Sequence, residues 1–213
     1  YSGSRFQNTS FYFLPGATYT VRTASAFASK VLPADCVFSH NAQSWFVDSN
    51  ERCLLSIAFL SCRVPQAFLE LAVGAGDIAT AGSAARRYTT AVVESVPADP
   101  IERIDTARNR ELSRLLLANR IAEFSRLETS CLFGRLATGV RSTGLGASAL
   151  HNTSEILDEV LDALEWSKEF DDAVTKAFSL TDEEVSFIGI EVGPHPWSYI
   201  TEPKESELHR LLN

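Results

Sequence analysis

The chain has 213 residues, 45% of them hydrophobic, and a formal net charge of -8 at pH 7. This length allows one large domain or two small ones, and the hydrophobic content suffices for a packed core. The longest apolar stretch, around residues 54–60, is far too short to cross a bilayer, and the polar start Tyr1-Ser-Gly-Ser-Arg5 is unlike a signal peptide. We therefore expect a cytoplasmic globular protein without membrane contact.

The negative charge is concentrated in the last third of the chain. Residues 1–100 hold 7 basic and 7 acidic side chains, and residues 101–150 hold 8 and 5. Residues 151–213 hold 4 basic and 15 acidic side chains, a net charge of -11. An acidic protein is in general a poor DNA ligand, because Lys and Arg supply most of the affinity for phosphate. The first two thirds nevertheless remain compatible with a DNA-facing surface.

The first half of the chain predicts a small unit of mixed α and β structure. Short runs rich in β-branched and aromatic residues alternate with Pro, Gly, Asn and Asp, a pattern typical of short twisted strands. The predicted strands are Phe11–Phe13, Thr18–Arg22, Cys36–Ser39, Ser44–Val47 and Thr89–Val96. Leu54–Leu71 predicts a helix packed on these strands, and Pro65 either kinks it or marks the start of a second helix. Since Pro97–Pro100 closes the unit, we expect one domain over residues 1–100 and a helical region over 101–213.

The second half predicts helices. Apolar side chains recur at helical spacing through Ile101–Leu132, with arginines on much of the remaining surface. Gly134–Ala149 contains four glycines and predicts a loop. Asn152–Glu155 offers N-cap side chains for a helix over Ile156–Trp166, and Leu180–Glu184 starts another helix with acids in its first turn. The predicted fold class is therefore α+β, with a small twisted sheet and packed helix followed by a mainly helical part.

A glycine-rich segment, Val73-Gly-Ala-Gly-Asp77, admits an alternative interpretation. With the β-branched run Thr89–Val93 and Glu94 after it, the segment has the outline of a cofactor-binding loop. Such a loop should follow a buried strand and open a helix. The preceding apolar run is too long for a strand and continues round a helix, so Gly74 and Gly76 are better interpreted as a helix stop.

Other residues that could carry chemistry are scattered. The cysteines, which form no C-x-x-C pair and are interpreted as buried free thiols rather than zinc ligands or disulfides, are Cys36, Cys53, Cys62 and Cys131. His195 lies between two prolines and is interpreted as part of a rigid turn. The carboxylates of Leu180–Glu184 are interpreted as helix-dipole residues, since acid-base catalysis needs pKa shifts that exposed runs rarely provide.

Four segments, taken in chain order, resemble segments of one enzyme family. They are Gly16-Ala-Thr-Tyr-Thr-Val-Arg22 with its continuation through Lys30, Leu32-Pro33 and Val37-Phe38; Leu54–Leu71; Arg87-Tyr88 running to Val96-Pro97; and Phe170–Val185. This order resembles the target-recognition region that follows the catalytic domain in Type IIG restriction-modification methylases and in related phage-exclusion (BREX, Pgl-type) N6-adenine methyltransferases. The resemblance implies sequence-specific recognition of double-stranded DNA.

The same family supplies an expectation about catalysis. Its N6-adenine methyltransferases hold the flipped target base with an Asn/Asp-Pro-Pro-Tyr/Phe loop. No such run occurs here, since the one Asp-Pro dipeptide, Asp99-Pro100, leads into Ile101. We therefore expect this segment to be non-catalytic and to bind no cofactor, with S-adenosylmethionine bound by a methyltransferase domain upstream in the same polypeptide. The start at Tyr1, without an initiator Met, agrees with that expectation.

The residues expected to contact DNA lie in the segments that carry the resemblance. Sequence-specific proteins combine Arg or Lys on phosphates with Arg, Asn, Gln, Ser or Thr at base edges. The candidates are Thr18, Tyr19, Arg22, Ser25, Lys30, Arg86, Arg87 and Tyr88. Any one of them is equally an ordinary surface residue, but two basic clusters beside small polar residues favour a contact surface. The alternatives are a protein-interaction or structural domain without direct DNA contact, which the acidic last third favours, and an intact methyltransferase.

Overall fold

The computed structural model describes residues 8–74, 86–126 and 145–192. Within these ranges the fold is mixed α and β, which confirms the predicted class. The strands are β1 (Gly16–Thr20), β2 (Arg22–Thr23), β3 (Ser29–Leu32), β4 (Ala42–Trp45) and β5 (Arg86–Arg87). The helices are α1 (Asn50–Leu60), α2 (Arg63–Gly74), α3 (Thr90–Glu94), α4 (Asp99–Ile104), α5 (Ala107–Ser125), α6 (Leu145–Ala177) and α7 (Asp182–Val192).

By compactness the chain divides into two units. The first comprises Tyr1–Arg110 with Ala173–Gly193, and the second comprises Glu111–Asp172 with Pro194–Asn213. The first unit thus includes α7 and the end of α6, although both come late in the chain. The domain boundary expected at residue 100 was based on the prolines at 97 and 100, whereas the two observed units are defined by packing. All of the candidate DNA-contacting residues lie in the first unit.

The main sheet of the first unit is antiparallel, with strand order β3-β1-β4. Ala17 and Tyr19 of the central strand β1 are buried on the face against which α1 packs. Trp45 extends from the same face, and its Nε1 donates a hydrogen bond to Ser56 Oγ of α1 at 2.9 Å. Because side chains alternate along a strand, Thr18 lies on the opposite face, as do its register partners Lys30 and Ser44. A second sheet pairs β2 with β5.

Helices α1 and α2 complete the core of the first unit. Leu55, Phe59, Val64 and Leu69 are almost completely buried. Phe178, which follows α6, stacks on Phe59 at a ring-centroid distance of 6.0 Å and on Phe68 at 5.7 Å. The aromatic side chains therefore join a late part of the chain to the α1–α2 pair.

The helix expected over Leu54–Leu71 is two helices. Helix α1 starts earlier than expected because Ser49 caps it, its Oγ accepting a hydrogen bond from Arg52 N–H at 3.2 Å. Pro65 lies in the first turn of α2, where a missing N–H is tolerated, so it marks a second helix. Among the described residues no single helix is long and apolar enough to cross a membrane; α1 and α2 meet that criterion only as a pair bent by 66°.

Three of the five predicted strands differ from the structure. Thr9–Phe11 forms a 3-10 turn in place of a strand at Phe11–Phe13, and Phe13 has a φ of 64°. Cys36 N–H closes a turn on Pro33 O at 3.2 Å, so Cys36–Ser39 is not a strand, while β3 was not predicted. Thr89–Val96 contains α3, because packing on α2 overrides the β-propensity of its valines. The cofactor-loop interpretation required a strand at Thr89–Val93, and this segment is instead mostly helical.

The helix expected over Ile101–Leu132 is also interrupted. The break between α4 and α5 lies at Thr106, which caps the start of α5: its Oγ1 accepts a hydrogen bond from Asn109 N–H at 3.2 Å. The Asn109 side chain donates to Ile104 O at 2.8 Å and so satisfies a terminal carbonyl of α4. This pair of caps produces two helices from one periodic pattern.

Helix α6 begins at Leu145, so the loop expected over Gly134–Ala149 is wrong from that residue onward. The expected N-cap at Asn152–Glu155 is wrong as well, since these residues lie inside α6, which includes the predicted helix Ile156–Trp166. The predicted start of α7 is confirmed. Several other predictions fall outside the described residues: Gly76 and Asp77, the end of the predicted helix at residues 127–132, Cys131, the predicted loop at 134–144, and His195.

The start of α7 is a capping box that yields a stability prediction. Glu184 Oε2 accepts hydrogen bonds from Thr181 N at 2.8 Å and Oγ1 at 2.9 Å, and these bonds lower the pKa of the Glu184 carboxyl. Replacing Thr181 with alanine should lower the free energy of unfolding by about 1 kcal/mol. Since the folded pKa is depressed, the contribution of Glu184 is present above its unfolded pKa and is lost as pH falls through the folded value.

Urea unfolding of wild type, Thr181→Ala and Glu184→Gln at neutral and acidic pH checks this. Ser186→Ala, at an exposed position inside α7, is the matched control and should change stability little. A wild-type advantage over Glu184→Gln that grows as the pH is lowered would contradict the capping-box assignment.

Candidate nucleic-acid interface

Two of the candidate arginines face each other across the β2–β5 ladder, in which Arg22 is the register partner of Arg87. The adjacent pair, Val21 and Tyr88, is joined by a hydrogen bond from Tyr88 N–H to Val21 O at 2.8 Å. In an antiparallel ladder, hydrogen-bonded and non-hydrogen-bonded pairs alternate, so Arg22 and Arg87 form a non-hydrogen-bonded pair, in which side chains lie closer together. Both side chains are exposed. We call them the arginine pair.

Neither member of the arginine pair forms an ion pair with any residue that the structure describes. Among the described residues before residue 100, the cationic side chains without a hydrogen bond or ion pair are Arg22, Lys30 and Arg87. By contrast, Arg52 pairs with Asp48 and Glu102, and Arg86 pairs with Glu70. Like charges directly opposite on a ladder destabilise it. An anion bound between the two guanidinium groups would remove that repulsion, and planar guanidinium donors match the oxygens of a phosphate.

The carboxylate of Glu70 contacts the residues on either side of Arg87. Oε1 of Glu70, on α2, accepts a hydrogen bond from the Tyr88 hydroxyl at 2.7 Å. Oε2 of the same carboxylate forms an ion pair with Arg86 Nε at 2.8 Å. The Tyr88 ring also contacts Phe27 edge-on, with ring centroids 5.2 Å apart. The backbone that carries Arg87 is therefore fixed on both sides.

The two candidate tyrosines are buried, so the structure gives them a supporting role. Tyr88 is 0% exposed and Tyr19 is 4% exposed. Burial raises the pKa of both phenols, and the hydrogen bond to Glu70 raises that of Tyr88 further. Tyr19 donates a hydrogen bond to Gln43 Oε1 at 2.6 Å. Neither hydroxyl is available to a ligand at the surface.

The remaining candidates occupy the open face of the main sheet and a turn. Thr18 Oγ1 donates a hydrogen bond to Gln43 O at 3.0 Å, and Lys30 is exposed beside it on β3. Ser25 is exposed, and its N–H donates to Thr23 Oγ1 at 3.0 Å in a turn that follows β2. Arg86 is half-buried and engaged with Glu70. Of the eight candidates, the exposed charged ones are thus Arg22, Lys30 and Arg87.

Comparisons with models of protein families, with curated proteins and with solved structures found no match. The chemistry of the site must therefore be inferred from its residues. In the described ranges, no group of three or more His, Cys, Asp or Glu side chains could hold a metal ion. Cys53 and Cys62 are buried free thiols and Cys36 is a half-buried one.

Sequence reasoning missed two residues that organise this region. Glu70 fixes β5, and Gln43 accepts hydrogen bonds at its Oε1 from both Tyr19 and Thr90, the latter at 2.8 Å. The signal for Glu70 was present, since it is the only carboxylate within Leu54–Leu71. A lone acid in a buried helix requires a partner, and the arginines and tyrosine of residues 86–88 were among the candidates. Gln43 carried no such signal.

Proposed function

We propose that this chain is the DNA target-recognition part of a restriction-modification or phage-defence N6-adenine methyltransferase of the cytoplasm, and that the arginine pair binds the phosphate backbone of the target duplex. The observation that carries the proposal is the placement of two exposed guanidinium groups directly opposite each other on the β2–β5 ladder, neither of them in an ion pair within the described part of the chain. The enzyme class comes from the sequence resemblance, and the anion-binding chemistry comes from the geometry.

The arrangement supports a phosphate contact better than a base contact for Arg22 and Arg87. A phosphate has oxygens for two guanidinium groups at once, whereas guanine offers a single bidentate edge, to O6 and N7. Contacts to phosphate fix the register of a protein on the duplex and carry no sequence information. Lys30 and Thr18, on the open face of the main sheet, are the residues we assign to base edges.

The strand that carries Arg87 is held in place by contacts with the rest of the first unit. The hydrogen bond and the ion pair of Glu70 hold β5 before any ligand binds, and Tyr88 N–H donates to the carbonyl of Val21, between β1 and β2. A prearranged donor pair loses less conformational entropy on binding than two flexible side chains on separate loops. The catalytic step, with S-adenosylmethionine as methyl donor, belongs in this proposal to a domain upstream in the same polypeptide.

The test is to replace both members of the arginine pair with alanine and to titrate a fluorescein-labelled DNA duplex with the full chain at several salt concentrations. Each lost phosphate contact should lower the magnitude of the slope of log K against log salt by about 1, so the double variant should lose about 2. Affinity should fall alike for all duplex sequences, because phosphate contacts do not distinguish bases.

Arg120→Ala is the matched control, because it removes the same exposed charge at an i,i+3 pair on α5. Its effect on the salt slope should be smaller than that of either single variant of the arginine pair. If Arg22→Ala/Arg87→Ala binds the duplex with wild-type affinity and salt dependence, the arginine pair does not contact DNA and the proposal fails.

A further inference from the structure

An open apolar groove lies between α2 and α7 of the first unit. Its volume is about 340 Å³, and the side chains that form its floor and walls are Ala67, Phe68, Leu71, Leu180, Phe187 and Ile188. Leu71 is 56% exposed and Phe187 is 51% exposed, so both walls present apolar side chains to solvent. An apolar cleft with exposed large side chains on a folded surface marks an interaction site.

The apolar surface continues along α7 beyond the groove. Ile190 follows Phe187 by three residues and so lies on the same side of the helix, where it is 76% exposed. Leu71 and Phe187 in the groove and Ile190 beside it on α7 are thus exposed apolar side chains. An apolar groove between two helices is the kind of surface that receives an amphipathic helix through residues spaced i, i+3 or i+4, and i+7.

The charge of the groove selects the partner. Glu183 and Glu184 line its end, and Asp182 precedes them in the first turn of α7. The Glu184 carboxylate is used by the capping box, but Glu183 carries no such bond among the described residues. Within residues 173–192 there are one lysine and four acidic residues. A partner with basic residues beside its apolar stripe complements this end of the groove.

The same charge argues against two other occupants. A second copy of the chain, placed by a two-fold axis, would offer the same acid-rich surface and therefore little positive charge to complement Glu183. The anionic surface of a membrane would be repelled by the same carboxylates. We propose that the α2–α7 groove binds a basic amphipathic helix of a protein partner, with apolar side chains against Leu71 and Phe187 and a Lys or Arg beside Glu183.

The test uses two designed helical peptides and the full chain. Both carry leucines at i, i+3, i+4 and i+7; one has lysines on the flanks of that stripe and the other has glutamates. By fluorescence anisotropy the lysine peptide should bind at least about tenfold more tightly than the glutamate peptide. Leu71→Ser/Phe187→Ser should weaken binding of the lysine peptide by about tenfold or more, because it removes the apolar anchors. Glu183→Lys should narrow or reverse the preference between the peptides.

Val37→Ser is the matched control, since Val37 is also 56% exposed but lies outside the groove. It should leave peptide binding unchanged, and urea unfolding should show that every variant keeps its fold. Equal binding of the two peptides, or an equal loss in Val37→Ser, overturns the proposal. So does self-association, or pelleting with phosphatidylserine vesicles, that Leu71→Ser/Phe187→Ser abolishes. DNA affinity should be unaffected by these two serines, which separates this test from that of the arginine pair.

Discussion

Replacing Phe59 with alanine is expected to lower the free energy of unfolding by about 3–5 kcal/mol, the range observed for removing a large aromatic ring from a packed core. Phe59 is 1% exposed, and its ring stacks on Phe178 with an interplanar angle of 8°. Its loss leaves a cavity where Phe178, the residue after α6, packs on α1, and the stacking between the two rings is lost as well.

Urea unfolding followed by circular dichroism measures this effect. Phe124 is the matched control, because it is an aromatic residue with 47% of its surface exposed, and Phe124→Ala should cost well under half as much. A loss below about 1 kcal/mol for Phe59→Ala would mean that the contact between Phe59 and Phe178 does not stabilise the first unit.

Replacing Glu70 with alanine is expected to lower the free energy of unfolding by about 2–3 kcal/mol, because it removes the acceptor of the Tyr88 hydroxyl and the counter-charge of Arg86 together. Tyr88 is 0% exposed, so its hydroxyl would be left buried without its partner. Glu70→Gln keeps an acceptor for Tyr88 and should lose less stability than Glu70→Ala.

Glu70→Ala also tests whether Glu70 positions the arginine pair, because charge and geometry predict opposite changes in DNA affinity. Removing an acidic residue by itself strengthens DNA binding, since it reduces repulsion of phosphate. If Glu70 positions β5 for the arginine pair, Glu70→Ala should instead weaken DNA binding and leave Arg22 and Arg87 less well ordered. Anisotropy titration under folding conditions measures the sign, with Glu94→Ala as a control that removes an exposed acid. If Glu70→Ala raises DNA affinity as Glu94→Ala does, Glu70 does not position β5 for DNA binding.

Much of the fold could be predicted from local patterns. The β-branched run at Thr18–Arg22, the apolar run at Leu54–Leu71 and the acidic start of α7 each contain their own signal within a few residues. Predictions failed where tertiary contacts outweighed propensity. Valines at residues 92 and 93 favour a strand, yet they lie in α3, whose Thr90 hydrogen-bonds Gln43. The break at Thr106 depends on cap hydrogen bonds that interrupt an otherwise regular helical period.

The candidate site was predictable in composition but not in geometry. The sequence shows Arg22 and Arg87 as members of two separate basic clusters, and only strand pairing makes them opposite neighbours. Alternation along a strand would have placed Tyr88 on the other side from Arg87, but strand β5 was itself not predicted. Burial of both tyrosines depends on Phe27 and Gln43, which are distant from Tyr88 and Tyr19 along the chain.

The first unit is assembled from two separated stretches of the chain, and this determines when it can fold during synthesis. When residue 110 leaves the ribosome, the surfaces of Phe59 and Phe68 that Phe178 covers are still open. They close only after α6 has been translated, so the nascent chain displays an apolar surface through the synthesis of the whole intervening segment. Contacts of such long sequence separation form slowly, and surfaces of this kind recruit chaperones. Expression at lower temperature should therefore favour soluble protein.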